Sequence, residues 1–115
     1  MRDATPQVTI RLATPKDYSF IFATYLRNRW YSPSNTTTLQ KSHWMKAQHA
    51  RLEGMLAAQP VLVACDGSDA DVIYGYRLRD GSEDYSYVKL AFRLKPVLQA
   101  LAEATYPTEV KGEAT

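Results

Sequence analysis

Apolar positions alternate with polar ones at the start of the chain. Val8, Ile10 and Leu12 recur at every second residue of 7–12, the period of a half-buried strand. Thr14-Pro15-Lys16-Asp17 then predicts a helix start. Thr14 suits the N-cap, Pro15 suits the first turn, and Asp17 complements the positive end of the helix dipole. Tyr18, Ile21, Phe22, Tyr25 and Leu26 follow at helical spacing and make one apolar stripe as far as Trp30.

Ser32-Pro33-Ser34-Asn35 breaks that helix. Thr37 with Gln40 three residues later is a capping-box pattern that opens a second helix. Met45, Gln48, Leu52, Met55 and Leu56 trace its expected buried side, and Gln59-Pro60 closes it. The period then changes. Residues 61–65 form a continuous apolar run, as a central strand does. After the polar turn Asp66-Gly67-Ser68, residues 72–79 and 85–92 read as a hairpin turning at Asp80-Gly81. Across it, Tyr74 and Tyr76 are expected to face Tyr85 or Tyr87. Pro96 starts a last helix, in which Val97, Leu98, Leu101 and Ala104 are expected to pack on the sheet, and Tyr106-Pro107 ends it. The order β-α-α-β-β-β-α predicts an α+β layer fold, with three helices on a mostly antiparallel sheet of about four strands. Residues 1–107 are expected to form a single domain and 108–115 a flexible tail.

Composition narrows the class. The chain has 115 residues, 45% of them hydrophobic, with two Trp, eight Tyr and three Phe, which is enough for a modest folded core. It carries no apolar run of membrane-spanning length and no apolar signal core at its start, so the expected location is the cytoplasm. The single Cys65 excludes an internal disulfide and a cysteine-rich zinc site, and is expected to be a small core residue. His43 and His49 are six apart, on different helix faces, so no metal site is expected. No Ser-His-Asp set, Walker loop or GxGxxG fingerprint occurs.

The net charge of +2 is unevenly placed. Residues 18–52 hold no acid, against Arg27, Arg29, Lys41, Lys46 and Arg51. Residues 66–84 hold six acids, Asp66, Asp69, Asp71, Asp80, Glu83 and Asp84, against Arg77 and Arg79. Such a dipolar surface can bind an anion, meet a charged partner, pair with a second copy, or be two solvated faces of opposite sign.

Four segments, in order, resemble a GNAT-type N-acetyltransferase, above all small bacterial and phage-encoded members. IRLATPKD is similar to that family's first strand and helix cap, and PVLVACD and VIYGYRL to its second and third strands. YVKLAFR is similar to its fourth strand, which leads into the pyrophosphate loop. The resemblance covers roughly residues 8–104. It implies an acetyl-CoA site in which main-chain groups of Val88 and Lys89 receive the pantetheine arm and Arg93 and Lys95 meet the phosphates. The departures count against that site. Where the family has an Arg-x-x-Gly-x-Gly/Ala loop whose N–H groups hold the diphosphate, this chain reads Arg93-Leu94-Lys95-Pro96-Val97-Leu98. Pro96 has no N–H to give, and Leu98 stands where a small residue lets phosphate approach. The resemblance also implies that the chain stops before the strands that close the other wall of the cleft and carry the general acid. No catalytic residue is assigned. Glu83 and Asp84 are the nearest carboxylates for a general base, but both fall in a hairpin turn, and Tyr106 does not match the acid's position.

Three functional readings follow. The first is a non-catalytic interaction module derived from an acetyltransferase, with no required cofactor. In it a phage protein would modulate a bacterial host enzyme or regulator. Its contact surface would draw on Arg27, Arg29, Trp30, Tyr31, Trp44, Tyr85 and Tyr87, with at least one tryptophan expected in the core instead, and the open edge of the last strand would serve a host protein or a homodimer. The second is a minimal acetyl-CoA-dependent N-acetyltransferase. The third is nucleic-acid binding by the basic helical pair, disfavoured because only five cations are spread over two helices.

Overall fold

A computed structural model describes residues 7–107. The expected tail at 108–115 lies outside the described residues. The elements run β1 (Val8–Leu12), α1 (Tyr18–Trp30), α2 (Lys41–Ala58), β2 (Leu62–Asp66), β3 (Asp69–Asp80), β4 (Glu83–Val88) and α3 (Lys95–Glu103). Short 3-10 turns at Pro15–Asp17 and Leu90–Phe92 introduce α1 and follow β4. The four strands pair in chain order as an antiparallel meander, β1-β2-β3-β4. The expected α+β class and element order are those found.

Both faces of this sheet are covered. One core joins Ile21, Tyr25 and Leu26 of α1 and Trp44, Leu52 and Leu56 of α2 to Val63 and Cys65 of β2 and Tyr76 and Leu78 of β3. The other sets Val97 and Leu101 of α3 against Leu62, Ala64, Tyr74 and Val88. Residues 62–65 are therefore buried on alternate sides, which is why their sequence shows no alternation. Cys65 is buried, as expected of a core residue.

A bulge in β3 decides which tyrosine faces which core. Ala64 lies opposite Gly75 and Cys65 opposite Ile73, so Tyr74 is an extra residue and the side-chain alternation changes sides there. Tyr76 pairs with Tyr87 as expected, its ring centroid 6.1 Å from those of both Tyr85 and Tyr87. Tyr74 does not join them: it points to the α3 side and stacks on Phe92 at 4.3 Å. Gly75 lets β4 come close at this point. A Cβ there would collide with the Tyr87 carbonyl oxygen and lie 2.9 Å from Val88 Cα.

Several boundaries move from those expected. β4 ends at Val88, because residues 90–92 turn away instead of continuing to Phe92. α2 begins at Lys41, not at Thr37, whose hydroxyl instead accepts the Leu39 N–H at 3.1 Å. Leu98 is 43% exposed rather than packed on the sheet, and Leu12 is also exposed. At the 3-10 turn that leads into α1, Thr14 is the N-cap as expected, and Asp17 accepts its N–H at 2.7 Å. Arg11 then grips both Asp17 oxygens, at 2.8 and 2.9 Å, and donates to the Ala70 carbonyl, tying β1, the α1 cap and the start of β3 together. Gln59 closes the far end of β3. Its amide donates to the Arg79 carbonyl at 2.6 Å and accepts the Arg79 N–H at 3.0 Å, where the register would set Pro60, a residue without an N–H.

Gly75→Ala is expected to destabilise the fold by about 1–3 kcal/mol, since the obstacle is strand backbone that cannot move aside cheaply. Urea denaturation measures it. A midpoint equal to that of the parent chain would contradict this account of the β3–β4 approach.

Candidate functional site

Two places carry chemistry, one at each end of β4. The first is the junction from β4 to α3. The Lys89 N–H donates to the Tyr74 carbonyl at 2.8 Å, so Gly75 and Val88 form a non-hydrogen-bonded pair. The main-chain groups of Asp84, Ser86 and Val88 therefore point away from β3, toward the side of β4 that pairs with no strand among the described residues. At the end of this edge Arg93 donates through Nε to the Val88 carbonyl at 2.7 Å, and its guanidinium lies 5.8 Å from the Tyr87 ring centre. Both main-chain groups of Lys89 are used inside the chain: its N–H as above, and its carbonyl by the Phe92 N–H at 2.8 Å. The Lys89 ammonium lies over the Phe20 ring.

The first turn of α3 holds Pro96, with Leu94 as N-cap. The Leu98 N–H is bonded to the Leu94 carbonyl at 3.0 Å. A diphosphate at this helix start would meet the N–H group of Lys95, the unused guanidinium nitrogens of Arg93 and the Lys95 ammonium. Leu90 is 78% exposed and Leu94 and Leu98 are exposed beside it, giving the junction an apolar rim. The residues present thus fit an anion held by side-chain charge with few main-chain donors, and an amide-bearing arm laid along the Ser86–Val88 edge.

The second place joins the segregated charges of the sequence. Asp80, at the end of β3, has a side chain only 6% exposed. It accepts the Tyr25 hydroxyl at 2.6 Å and the Arg29 guanidinium on Oδ2, and Arg51 on Oδ1. Arg51 also donates to the Tyr25 hydroxyl at 3.2 Å. The Arg29 guanidinium lies 5.2 Å from the ring centres of both Tyr25 and Tyr85. Burial opposes the charge on Asp80, but the Tyr25 hydroxyl and the two arginines outweigh it and hold the carboxyl below its ordinary value. Burial, reinforced by donation to Asp80, pushes the Tyr25 phenol up, so Tyr25 stays protonated as a donor. Beside this cluster opens a cavity of about 320 Å³, lined also by Ser34 and Asn35 of the α1–α2 loop, Gln48 of α2 and Glu83 of β4.

The sequence-named contact residues are dispersed. Arg27 and Tyr31 are exposed, and Lys41 lies over the Tyr31 ring. Trp44 is buried and meets the half-buried Trp30 edge-on at 5.2 Å, so one tryptophan is in the core, as expected. Tyr85 and Tyr87 are half-buried against Tyr25 and Phe20. Asp84 accepts from Tyr106 at 3.2 Å and pairs with Arg77 at 3.5 Å, while Glu83 faces the Arg29–Arg51 cavity. Of the five expected basic residues, Arg29 and Arg51 turn inward onto Asp80. No group of three or more His, Cys, Asp or Glu side chains among the described residues could hold a metal, and no helix among them is long and apolar enough to cross a membrane.

No family model and no curated protein matches the chain. Its structure is similar to that of yncA from Salmonella typhimurium, a candidate acetyltransferase solved with its cofactor acetyl-CoA, with a TM-score of 0.49 and 24% sequence identity. That match covers 83% of this chain and 58% of the other, so the chain spans less than two thirds of the structure it resembles.

Asp80 and Asp17 both titrate lower in the folded chain than in the unfolded one, Asp17 chiefly through the Arg11 hydrogen bonds. Their contribution to stability is therefore complete well above the ordinary aspartate value of 3.8 and is lost as pH falls below it. Thermal melts from pH 7 down to pH 2 are expected to show this loss, and Asp80→Asn to flatten part of it. An Asp80→Asn profile parallel to the parent's would contradict the role given to Asp80.

Proposed function

We propose that this chain is an acyl-CoA-binding domain of the N-acyltransferase type, with its ligand seated on the β4–α3 junction. One observation carries the reading. The outward main-chain groups of Ser86 and Val88 lead directly to Arg93, Lys95 and the start of α3. The four segments that resemble GNAT enzymes fall, in order, on β1 with the α1 cap, on β2, on β3, and on β4 with the turn after it. Bound acyl-CoA would supply a thioester carbonyl for attack by an amine. Ser86 offers an outward N–H and carbonyl to the amides of its arm, the Val88 carbonyl being taken by Arg93, while the remaining guanidinium nitrogens of Arg93 and the Lys95 ammonium meet the phosphates. Pro96 removes one main-chain donor from the helix start, so side-chain charge bears most of the phosphate recognition and binding is expected to be modest and salt-sensitive.

Calorimetry with acetyl-CoA and with CoA tests this. Submillimolar to millimolar binding is expected, weakened roughly tenfold or more in Arg93→Ala, the size of a lost charge-assisted hydrogen bond. No heat at millimolar ligand would remove the reading.

A second reading, an interaction module without catalysis, is favoured by the exposure of Leu90, Leu94 and Leu98 beside the open strand edge. In this reading a strand from a cellular or host protein, or from a second copy of the chain, adds to β4. Ser86→Pro tests this second reading through its assembly state. The Ser86 N–H points outward, so proline blocks a partner strand without removing a β3–β4 bond. Light scattering at high micromolar concentration is expected to show parent-chain dimers that the variant lacks; a monodisperse parent monomer counts against the homodimer.

A further inference from the structure

The cavity at the hairpin end of β4 is built around more positive charge than its buried acid uses. Asp80 neutralises one of the two guanidiniums that reach it and Glu83 at the rim offsets the other in net charge, but Asp80 does not occupy all of their donors. Arg29 gives a single nitrogen to Asp80, and Arg51 gives Nη1 to Tyr25 and Nη2 to Asp80. Arg29 Nε and Nη1 and Arg51 Nε have no acceptor among the described residues. Arg29 is held in place by the Tyr25 and Tyr85 rings, and Arg51 is 47% exposed, so these donors are oriented and accessible. Gln48 lines the same cavity with its amide unpaired among the described residues.

We propose that this cavity binds a small molecule through a carboxylate, gripped between Arg29 and Arg51 with Gln48 as an added donor. A planar carboxylate fits the guanidinium fork. Charge sets the valence. Asp80 and Glu83 already offset the two guanidiniums, so a monoanion adds one negative charge to the cavity, whereas a phosphate dianion would add two beside the same carboxylates. The lining is largely polar, and the volume of about 320 Å³ accommodates a metabolite-sized molecule. The site is independent of acyl-CoA. It lies at the opposite end of β4 from Val88, about 17 Å along a six-residue strand.

The test follows the arginine Nε–Hε resonances by NMR while acetate, glycolate, inorganic phosphate or chloride is added to the whole chain at constant ionic strength. Acetate and glycolate are expected to shift Arg29 and Arg51 saturably in the millimolar range, with phosphate binding no more tightly. Gln48→Glu sets a negative charge in the cavity without touching the Asp80 pairs and is expected to weaken acetate by roughly fivefold. A response that never saturates in the parent chain overturns the proposal. So does phosphate binding tighter than acetate, or acetate binding unaltered in a Gln48→Glu chain that keeps its circular dichroism.

Discussion

A carboxylate nearly closed off from water must be met by donors, and Asp80 meets this requirement with three drawn from two helices. Tyr25 and Arg29 come from α1, Arg51 from α2, and Asp80 itself from the end of β3. Removing one partner from such a set leaves a buried charge or an unpaired cation, which is far more damaging than the loss of a surface ion pair. The cluster therefore fixes where the helical pair sits on the sheet. It also joins part of the uneven charge of the sequence, since Arg29 and Arg51 of the basic helical half meet Asp80 of the acidic strand half.

The sheet has a matching constraint at its other side. Because α1 and α2 cover one face and α3 the other, a strand in the middle must bury side chains both ways. β2 does this with small and branched apolar residues. β3 does it with large tyrosines, and the bulge at Tyr74 makes that workable by sending Tyr74 to α3 and Tyr76 to α1. Tyr76 is fully buried, so its hydroxyl needs a partner, and Thr24 of α1 supplies one at 2.7 Å. The same irregularity brings Gly75 under Val88, where β4 ends and its main chain turns its free groups outward.

Much of this architecture was legible in the residues. Tyr18, Ile21, Phe22, Tyr25 and Leu26 form the α1 stripe that their spacing predicts, and the apolar run before Asp66 is the doubly buried central strand. What the sequence hid were long-range pairings. Nothing local marks Asp80 as the acid of its segment that becomes buried, since Asp66, Asp69, Asp71 and Asp84 read alike and remain at the surface or only partly covered. Thr24 reads as a neutral helix residue until Tyr76 arrives from 52 positions away. The bulge left Tyr74 indistinguishable from Tyr76, and a helical reading of Thr37 to Gln40 competed with the local turn that the Thr37 hydroxyl makes with Leu39. Boundaries failed where a side chain chose a nearby backbone partner over a regular element.

The two ends of β4 differ in how they present positive charge, and that difference follows from what holds each in place. At the hairpin end, Arg29 and Arg51 are anchored by a buried acid and aromatic rings, so their unused donors have fixed directions. At the α3 end, Arg93 is anchored through Nε to the Val88 carbonyl and lies 5.8 Å from the Tyr87 ring centre with no acid holding it, and Lys95 has no partner among the described residues. Anchored donors discriminate by geometry, whereas loosely held cations attract any anion according to its charge. A chain using both would select a ligand by its carboxylate at one end and retain a multiply charged one by electrostatics at the other.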